Sequence, residues 1–176
     1  YIRALESLGM EVTPLPELPG FPDAIFVEDP ALVFSEGAIL LRPGAPSRLG
    51  EAAELKPALN DRFDTVLEID NGYVDGGDIL VTPEKVLIGL SGRTDQDGAR
   101  SLINALSRLG YKGEMVETPK QVLHFKTACS LLDEETMLVT ESMARSGIFD
   151  EMKTIVVPPD ETAAAQDPVV VPRPAQ

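Results

Sequence analysis

Hydrophobic residues recur along this chain in a unit of about fifty residues, which occurs three times. In each unit two short apolar runs flank a few polar residues, a pattern typical of a β-hairpin. A helix with apolar residues at helical spacing and one more short strand follow the hairpin. The three predicted hairpins are PALVFSEGAILL, DILVTPEKVLIGL and ACSLLDEETMLVT. The pattern therefore predicts an α/β protein built of strand-strand-helix-strand repeats.

The helix and strand that end each unit can be read directly from the sequence. The predicted pairs are IRALESLG before MEVTPL, which would end a partial unit ahead of the first hairpin, then EAAELKPALNDRF before DTVLEI, GARSLINALSRLG before GEMVET, and FDEM before KTIVVP. Gly110 is expected to end the third of these helices, because glycine readily takes the left-handed conformation at a helix end. Repeats of this kind stack in a line or close into a ring. We expect one domain at residues 1–164 and an atypical, Pro-rich tail at 165–176, with at most an edge strand at 169–171.

Composition narrows the classes of function. A net charge of −14 argues against nucleic acid or an anionic membrane surface as a partner, and it suits a cationic ligand. No apolar run approaches the roughly 18 residues that a membrane span requires, and no secretory signal is evident. The single cysteine excludes an intrachain disulfide and suits a reducing, cytoplasmic location. The chain begins at Tyr1 inside a helical pattern, so we expect it to be a piece of a longer protein.

Chemically active side chains precede the first strand of each hairpin. They are Asp23, Glu28 and Asp29 in the first unit, Asp75 and Asp78 in the second, and His124 and Lys126 in the third. Equivalent positions in a ring of repeats point at a common axis, where clustered carboxylates favour a cation between them. Taken singly, each group also fits an ordinary turn or a structural histidine. The spacing matches no standard metal motif, so we predict no metal site.

His124 and Cys129, each the single residue of its type, invite a hypothesis of catalytic base and thiol. The sequence VLHFKTACSLL predicts a strand entering the third hairpin. An offset of five would then put the two side chains on opposite faces, about 16 Å apart along the strand. A nucleophile and its base must approach to about 3 Å. We therefore interpret Cys129 as a buried, small hydrophobic residue, and not as the partner of His124.

Five stretches, in order along the chain, resemble the dimethylarginine dimethylaminohydrolase family within the amidinotransferase and arginine deiminase superfamily. They are FPDAIFVEDPALV, ILLRPGAPSRLGE, VDGGDIL, IGLSGRTDQDGA and VLHFKTACS. The resemblance implies a five-bladed α/β propeller, of which this chain would supply about three blades. It also implies hydrolysis of Nω-methylated arginine to citrulline and a methylamine, through a covalent cysteine intermediate and without a cofactor.

The resemblance also assigns roles to individual residues. His124 matches a catalytic histidine, and Asp75 matches the acidic residue that supports it. Asp23 and Asp29 match carboxylates that bind the guanidinium group, and Glu28 matches a further substrate contact. Two arginines match those that hold the amino-acid end of the substrate, namely Arg48 and Arg93.

Two departures bear on activity. Arginine deiminases tend to carry an aspartate two residues after the histidine, whereas this chain has Lys126, which favours methylated arginine over arginine as substrate. The family's nucleophilic cysteine lies near its C-terminus, and no residue here matches it. An incomplete copy of a hydrolase, an inactive or binding-only homologue, and a deiminase-like or amidinotransferase activity therefore stay open. A partial ring would expose sheet edges, which predicts self-association into a homo-oligomer.

Overall fold

The computed structural model describes residues 1–158, which form three small sheets of three strands each. In every sheet the first two strands pair antiparallel as a hairpin, and the third strand lies parallel to the second. The first sheet contains β1 (Ala31–Phe34), β2 (Gly37–Leu40) and β3 (Val66–Glu68). The second contains β4 (Ile79–Val81), β5 (Val86–Leu90) and β6 (Gly113–Glu117). The third contains β7 (Cys129–Leu131), β8 (Thr136–Val139) and β9 (Lys153–Val156).

A helix connects the second and third strand of each sheet, because parallel neighbours require a crossover. α1 (Ile2–Ser7) precedes the first sheet, and the three connecting helices are α2 (Glu51–Asn60), α3 (Gln96–Arg108) and α4 (Glu141–Ala144). In α3 the Asp95 side chain caps the helix by accepting from the Gly98 N–H at 2.7 Å. Gly110, at φ 89°, follows its last turn, which confirms the predicted helix end. None of the helices in residues 1–158 has the length and apolar character to cross a membrane.

The first strands of the three hairpins lie around one apolar cavity of about 1300 Å³. Residues 31–33, 79–81 and 129–131 all line it, so the three repeats present equivalent positions to a common axis. The largest core cluster of the described residues joins the first two sheets to α3, and includes Ile39, Ile88 and Leu102. The predicted partial α/β propeller of strand-strand-helix-strand repeats is thereby confirmed.

Three local predictions are wrong. MEVTPL is irregular, because Pro14 lacks an N–H and residues 1–158 offer the segment no neighbouring strand. FDEM is a turn, and the short helix of this unit is α4, capped by Thr140 where its hydroxyl accepts from the Met143 N–H. The predicted strand through His124 is a 3-10 helix over Phe125–Ala128, and β7 begins only at Cys129. The predicted boundary at residue 164, the tail at 165–176 and the strand at 169–171 lie outside the described residues.

Candidate active site

A polar cavity of about 330 Å³ lies where the segments before β1, β4 and β7 meet. All seven residues predicted as catalytic or substrate-binding line it: Asp23, Glu28, Asp29, Arg48, Asp75, Arg93 and His124. The remaining lining residues are Phe26, Gly77, Lys126 and Thr127. Equivalent loops of three repeats therefore converge as the sequence predicts, in a volume at the lower end of the range for small-molecule sites. The roles of these residues stay predictions.

His124 directs one ring nitrogen at two carboxylates. Its Nδ1 lies 3.5 Å from Asp78 Oδ1 and 3.9 Å from Asp75 Oδ1. The atom is buried and makes no hydrogen bond of normal geometry with any residue in the range 1–158. Asp78 raises the pKa of His124 most, partial burial opposes it, and the negative charges of Asp75 and Asp29 add to the increase. The imidazole is therefore held closer to its protonated form than an ordinary histidine.

Asp78 is one of the acids that precede the second hairpin, and the sequence predicts no role for it. Its side chain is fully buried, and Oδ2 accepts from Ser91 Oγ and Thr94 Oγ1, both at 2.6 Å. Its Oδ1 accepts from the Phe125 N–H at 2.9 Å, so it fixes the chain directly after His124. The sequence signal was its place in DGGD, where a 3-10 turn over Gly76–Asp78 turns the carboxylate inward.

The glycine pair of DGGD lets neighbouring chain segments approach closely. The Gly76 N–H donates to the Asp29 carbonyl at 3.0 Å, and a Cβ at Gly76 would lie 2.3 Å from the Glu28 carbonyl oxygen. A Cβ at Gly77 would lie 3.0 Å from Cγ of His124. Gly76 therefore lets the backbone of Glu28 and Asp29 approach closely, and Gly77 leaves room for the His124 imidazole.

We expect Gly76→Ala to destabilise the fold by about 1–3 kcal/mol, the range for an overpacked interior. Its new methyl group would meet backbone atoms, which have less room to move than a flexible side chain. Gly92→Ala is the matched control, because a Cβ there meets nothing within 4 Å. Urea unfolding measures the difference between the two variants. Equal free energies of unfolding would show that the close approach at Gly76 is unimportant.

Asp29 is bound to a buried arginine. Arg48 Nη1 donates to Asp29 Oδ2, and Arg48 Nη2 donates to the Phe26 carbonyl at 3.2 Å. On its other side Arg48 pairs with both oxygens of Glu51, with Nε to Oε2 at 2.8 Å. Burial raises the pKa of Asp29 although Arg48 opposes the change, and the charges of Asp75 and Glu28 raise it further. Asp29 Oδ1 has no hydrogen-bond partner among residues 1–158, so it can accept from a ligand.

The other charged groups of the cavity differ in whether they are paired. Lys126 Nζ lies 3.4 Å from Glu28 Oε2, and this pair joins the first repeat to the third. Within the part of the chain that the structure describes, the Arg93 guanidinium makes no ion pair or hydrogen bond, and the Asp23 carboxylate is likewise unpaired. The cavity therefore offers acidic acceptors for a cation and one available guanidinium for an anion.

Cys129 faces away from this site. It is 1% exposed, packs in the core cluster with Phe125 and Met137, and lines the apolar cavity. Its Sγ lies 3.3 Å from the Phe125 carbonyl oxygen. The predicted strand that would put His124 and Cys129 on opposite faces is wrong, because a 3-10 helix separates the two residues. The two side chains nevertheless line different cavities. In residues 1–158 no group of three or more His, Cys, Asp or Glu side chains is arranged to hold a metal ion.

The family model and the relatives that match this chain point to the same group of proteins. The family model described as arginine deiminase matches residues 16–168. N(G),N(G)-dimethylarginine dimethylaminohydrolase of Pseudomonas aeruginosa is 36% identical, over 94% of this chain and 65% of its own length. The protein of the same name from Streptomyces coelicolor is 34% identical, over 78% of this chain and 54% of its own length. The chain thus spans between about half and two thirds of the length of these relatives.

A solved structure agrees with these sequence matches. The Pseudomonas aeruginosa enzyme, as a cysteine-to-serine mutant complexed with citrulline, matches with a TM-score of 0.87 and 36% identity. The match covers 94% of this chain and 65% of that chain. Together with the family model, it extends over all three repeats and the polar cavity. The chain therefore belongs to the arginine deiminase family, and within it resembles the dimethylarginine dimethylaminohydrolases.

Proposed function

We propose that the protein hydrolyses Nω-methylated arginine to citrulline and a methylamine. The observation that carries the proposal is one polar cavity that collects acids from two repeats and His124 from a third. The dimethylaminohydrolases of Pseudomonas aeruginosa and Streptomyces coelicolor, and the citrulline complex of the first, support this substrate class. The net charge of −14 favours a cationic substrate over an anionic one.

The two ends of the substrate would bind to groups of opposite charge. The planar guanidinium would donate to Asp29 Oδ1 and to the unpaired carboxylate of Asp23, because carboxylates suit paired N–H donors. The α-carboxylate would bind Arg93, whose guanidinium is available. Arg48 contributes less to this end, since Nε and both Nη2 hydrogens are already used and Nη1 keeps one hydrogen.

His124 would move the protons of the reaction. The amine leaving group requires a proton, and an imidazole whose pKa is raised by Asp78 is protonated more fully near neutral pH. After the amine departs, the neutral imidazole can take a proton from the water that completes hydrolysis. Asp75 and Asp78 stabilise the imidazolium, as negative groups within 4 Å do.

Lys126 supports methylated arginine over arginine. Its ammonium group lines the cavity and pairs with Glu28, so the lysine side chain itself offers no acceptor to a further guanidinium N–H. A dimethylated nitrogen carries no hydrogen to donate there, whereas the corresponding nitrogen of arginine would leave its hydrogens unpaired. Unpaired polar groups in a closed site weaken binding.

A second candidate is a binding protein without turnover. It is favoured by one observation, that Cys129 is buried in the core and does not line the polar cavity. Family resemblance implies attack by a cysteine thiolate on the guanidinium carbon, and we do not assign this step to Cys129. A cytoplasmic location and a homo-oligomeric state stay predictions.

The test is product formation by the full-length protein supplied with asymmetric dimethylarginine or with arginine. We expect citrulline and dimethylamine in equal amounts, faster release from dimethylarginine, and a loss of at least about 100-fold in His124→Ala. Faster citrulline release from arginine would replace the proposal by a deiminase. Binding of dimethylarginine without any citrulline would favour the second candidate.

A further inference from the structure

Glu51 is a buried carboxylate outside the polar cavity, and nothing in the proposed reaction uses it. It is the first residue of α2 and is 2% exposed. Gly50 precedes it at φ 92°, a conformation that glycine adopts without strain, and this turn directs the chain into the helix. Both carboxylate oxygens accept from Arg48. A buried carboxylate therefore lies against a guanidinium that lines the polar cavity.

Arg48 connects Glu51 to the turn that carries Asp29. The Phe26 carbonyl accepts from the Asp29 N–H at 3.1 Å and from Arg48 Nη2 at 3.2 Å. Nη1 of the same guanidinium bonds to the Asp29 carboxylate. Arg48 therefore donates hydrogen bonds to both ends of this turn, Phe26 and Asp29, and Glu51 in turn accepts from Arg48.

The charges of these three residues suggest what Glu51 does. Asp29 and Arg48 alone form a neutral pair, which would attract a cationic ligand weakly. Glu51 gives Arg48 a second carboxylate, so the group of three carries one net negative charge. Because the interior is less polarisable than water, this difference of one charge acts strongly at the short distance to the cavity.

We propose that Glu51 is a positioning residue for the substrate guanidinium, which acts by balancing the positive charge of Arg48, so that Arg48 does not cancel the attraction between Asp29 and a cationic ligand. This inference rests on the proposed function, because it requires a cationic guanidino ligand in the polar cavity. It predicts that Glu51 favours dimethylarginine, which is cationic, over citrulline, whose ureido group is neutral. A purely structural role would affect both ligands alike.

The experiment measures the dissociation constants of dimethylarginine and citrulline by calorimetry for the wild-type protein, Glu51→Gln and Glu54→Gln. Glu54 lies on the same helix, is exposed, and loses the same charge in its variant. We expect Glu51→Gln to weaken dimethylarginine binding at least tenfold and to change citrulline binding less than threefold. Glu54→Gln should change neither by more than about twofold, since exposed charges are screened.

A wild-type protein that binds neither ligand would refute the proposed function. Wild-type binding with an equal loss of both ligands in Glu51→Gln, or with no loss, would refute this inference alone. Glu51→Gln leaves a buried guanidinium partly unpaired and can fail to fold. In that case Glu51→Asp decides, because it keeps a negative charge next to Arg48. It should keep the wild-type preference for dimethylarginine over citrulline within about threefold, and a loss of that preference would contradict the inference.

Discussion

Asp29→Asn should weaken binding of asymmetric dimethylarginine at least about 30-fold, which corresponds to roughly 2 kcal/mol. The substitution removes the charge of a partly buried acceptor, and losing one partner of a buried charge pair typically costs 2–5 kcal/mol or more. It also leaves Arg48 with Glu51 as its one carboxylate partner, so the wall of the cavity gains positive charge. Calorimetric titration with the ligand measures the effect.

Asp97→Asn is a suitable control for this variant. Asp97 is exposed and pairs with Arg100 on the surface of α3, where such ion pairs contribute little. It removes one negative charge without touching the cavity, and we expect its affinity to stay within about twofold of the wild type. Affinity of Asp29→Asn within the same twofold range would mean that the guanidinium does not bind at Asp29.

The pH dependence of dimethylarginine binding is a second test of whether the guanidinium binds at Asp29. Burial raises the pKa of Asp29 above its ordinary value of 3.8, so this carboxylate protonates at a higher pH than an exposed aspartate. The protonated form is neutral and does not attract a cation. Affinity for dimethylarginine should therefore fall on acidification before exposed aspartates titrate.

Asp78→Asn should lower the pKa of His124 and destabilise the fold by about 3 kcal/mol, since it disrupts a buried hydrogen-bond network. An amide presents an NH2 group where the carboxylate presents an acceptor, so it must face either the Phe125 N–H or two hydroxyl groups. His124 is the single histidine of the sequence, so its imidazole signals in a proton NMR titration need no further assignment. Urea unfolding of the same samples gives the free energy.

The sign of the coupling to stability follows from the direction of the pKa shift. The folded-state pKa of His124 lies above 6.5, so protonation stabilises the folded protein fully below pH 6.5. This contribution is lost as pH rises through the folded-state value. Asp78→Asn should remove most of it, and Asp75→Asn should remove less, because Asp78 is the largest cause of the shift. A His124 pKa unchanged in Asp78→Asn would refute the role given to Asp78.

The repeats and the site were predictable from the sequence because each depends on local pattern. Apolar runs separated by Ser35-Glu36 or by similar short polar turns specify hairpins, whose length and alternation need no tertiary information. Equivalent places in successive hairpins then implied that Asp29, Asp75 and His124 converge. The identity of Arg48 and Arg93 as lining residues came from family resemblance, since an isolated arginine carries no such signal.

The rest depends on contacts between residues far apart in the chain. The 3-10 helix after His124 forms where Asp78, 47 residues earlier, accepts from the Phe125 N–H, and no local pattern shows this bond. Burial of Glu51 is equally hidden, because a glutamate in the first turn of a helix is usually exposed and favoured there by the helix dipole. The sequence also gave no sign that Arg48 is shared between two carboxylates.

An NMR titration of the His124 imidazole with asymmetric dimethylarginine at constant pH reports on the polar cavity, because His124 lines it. If the polar cavity binds this ligand, the His124 resonances should shift in a saturable manner with one ligand per chain. In Asp29→Asn the same shift should require at least about 30-fold more ligand. A folded wild-type protein whose His124 resonances do not respond to millimolar dimethylarginine would contradict the account.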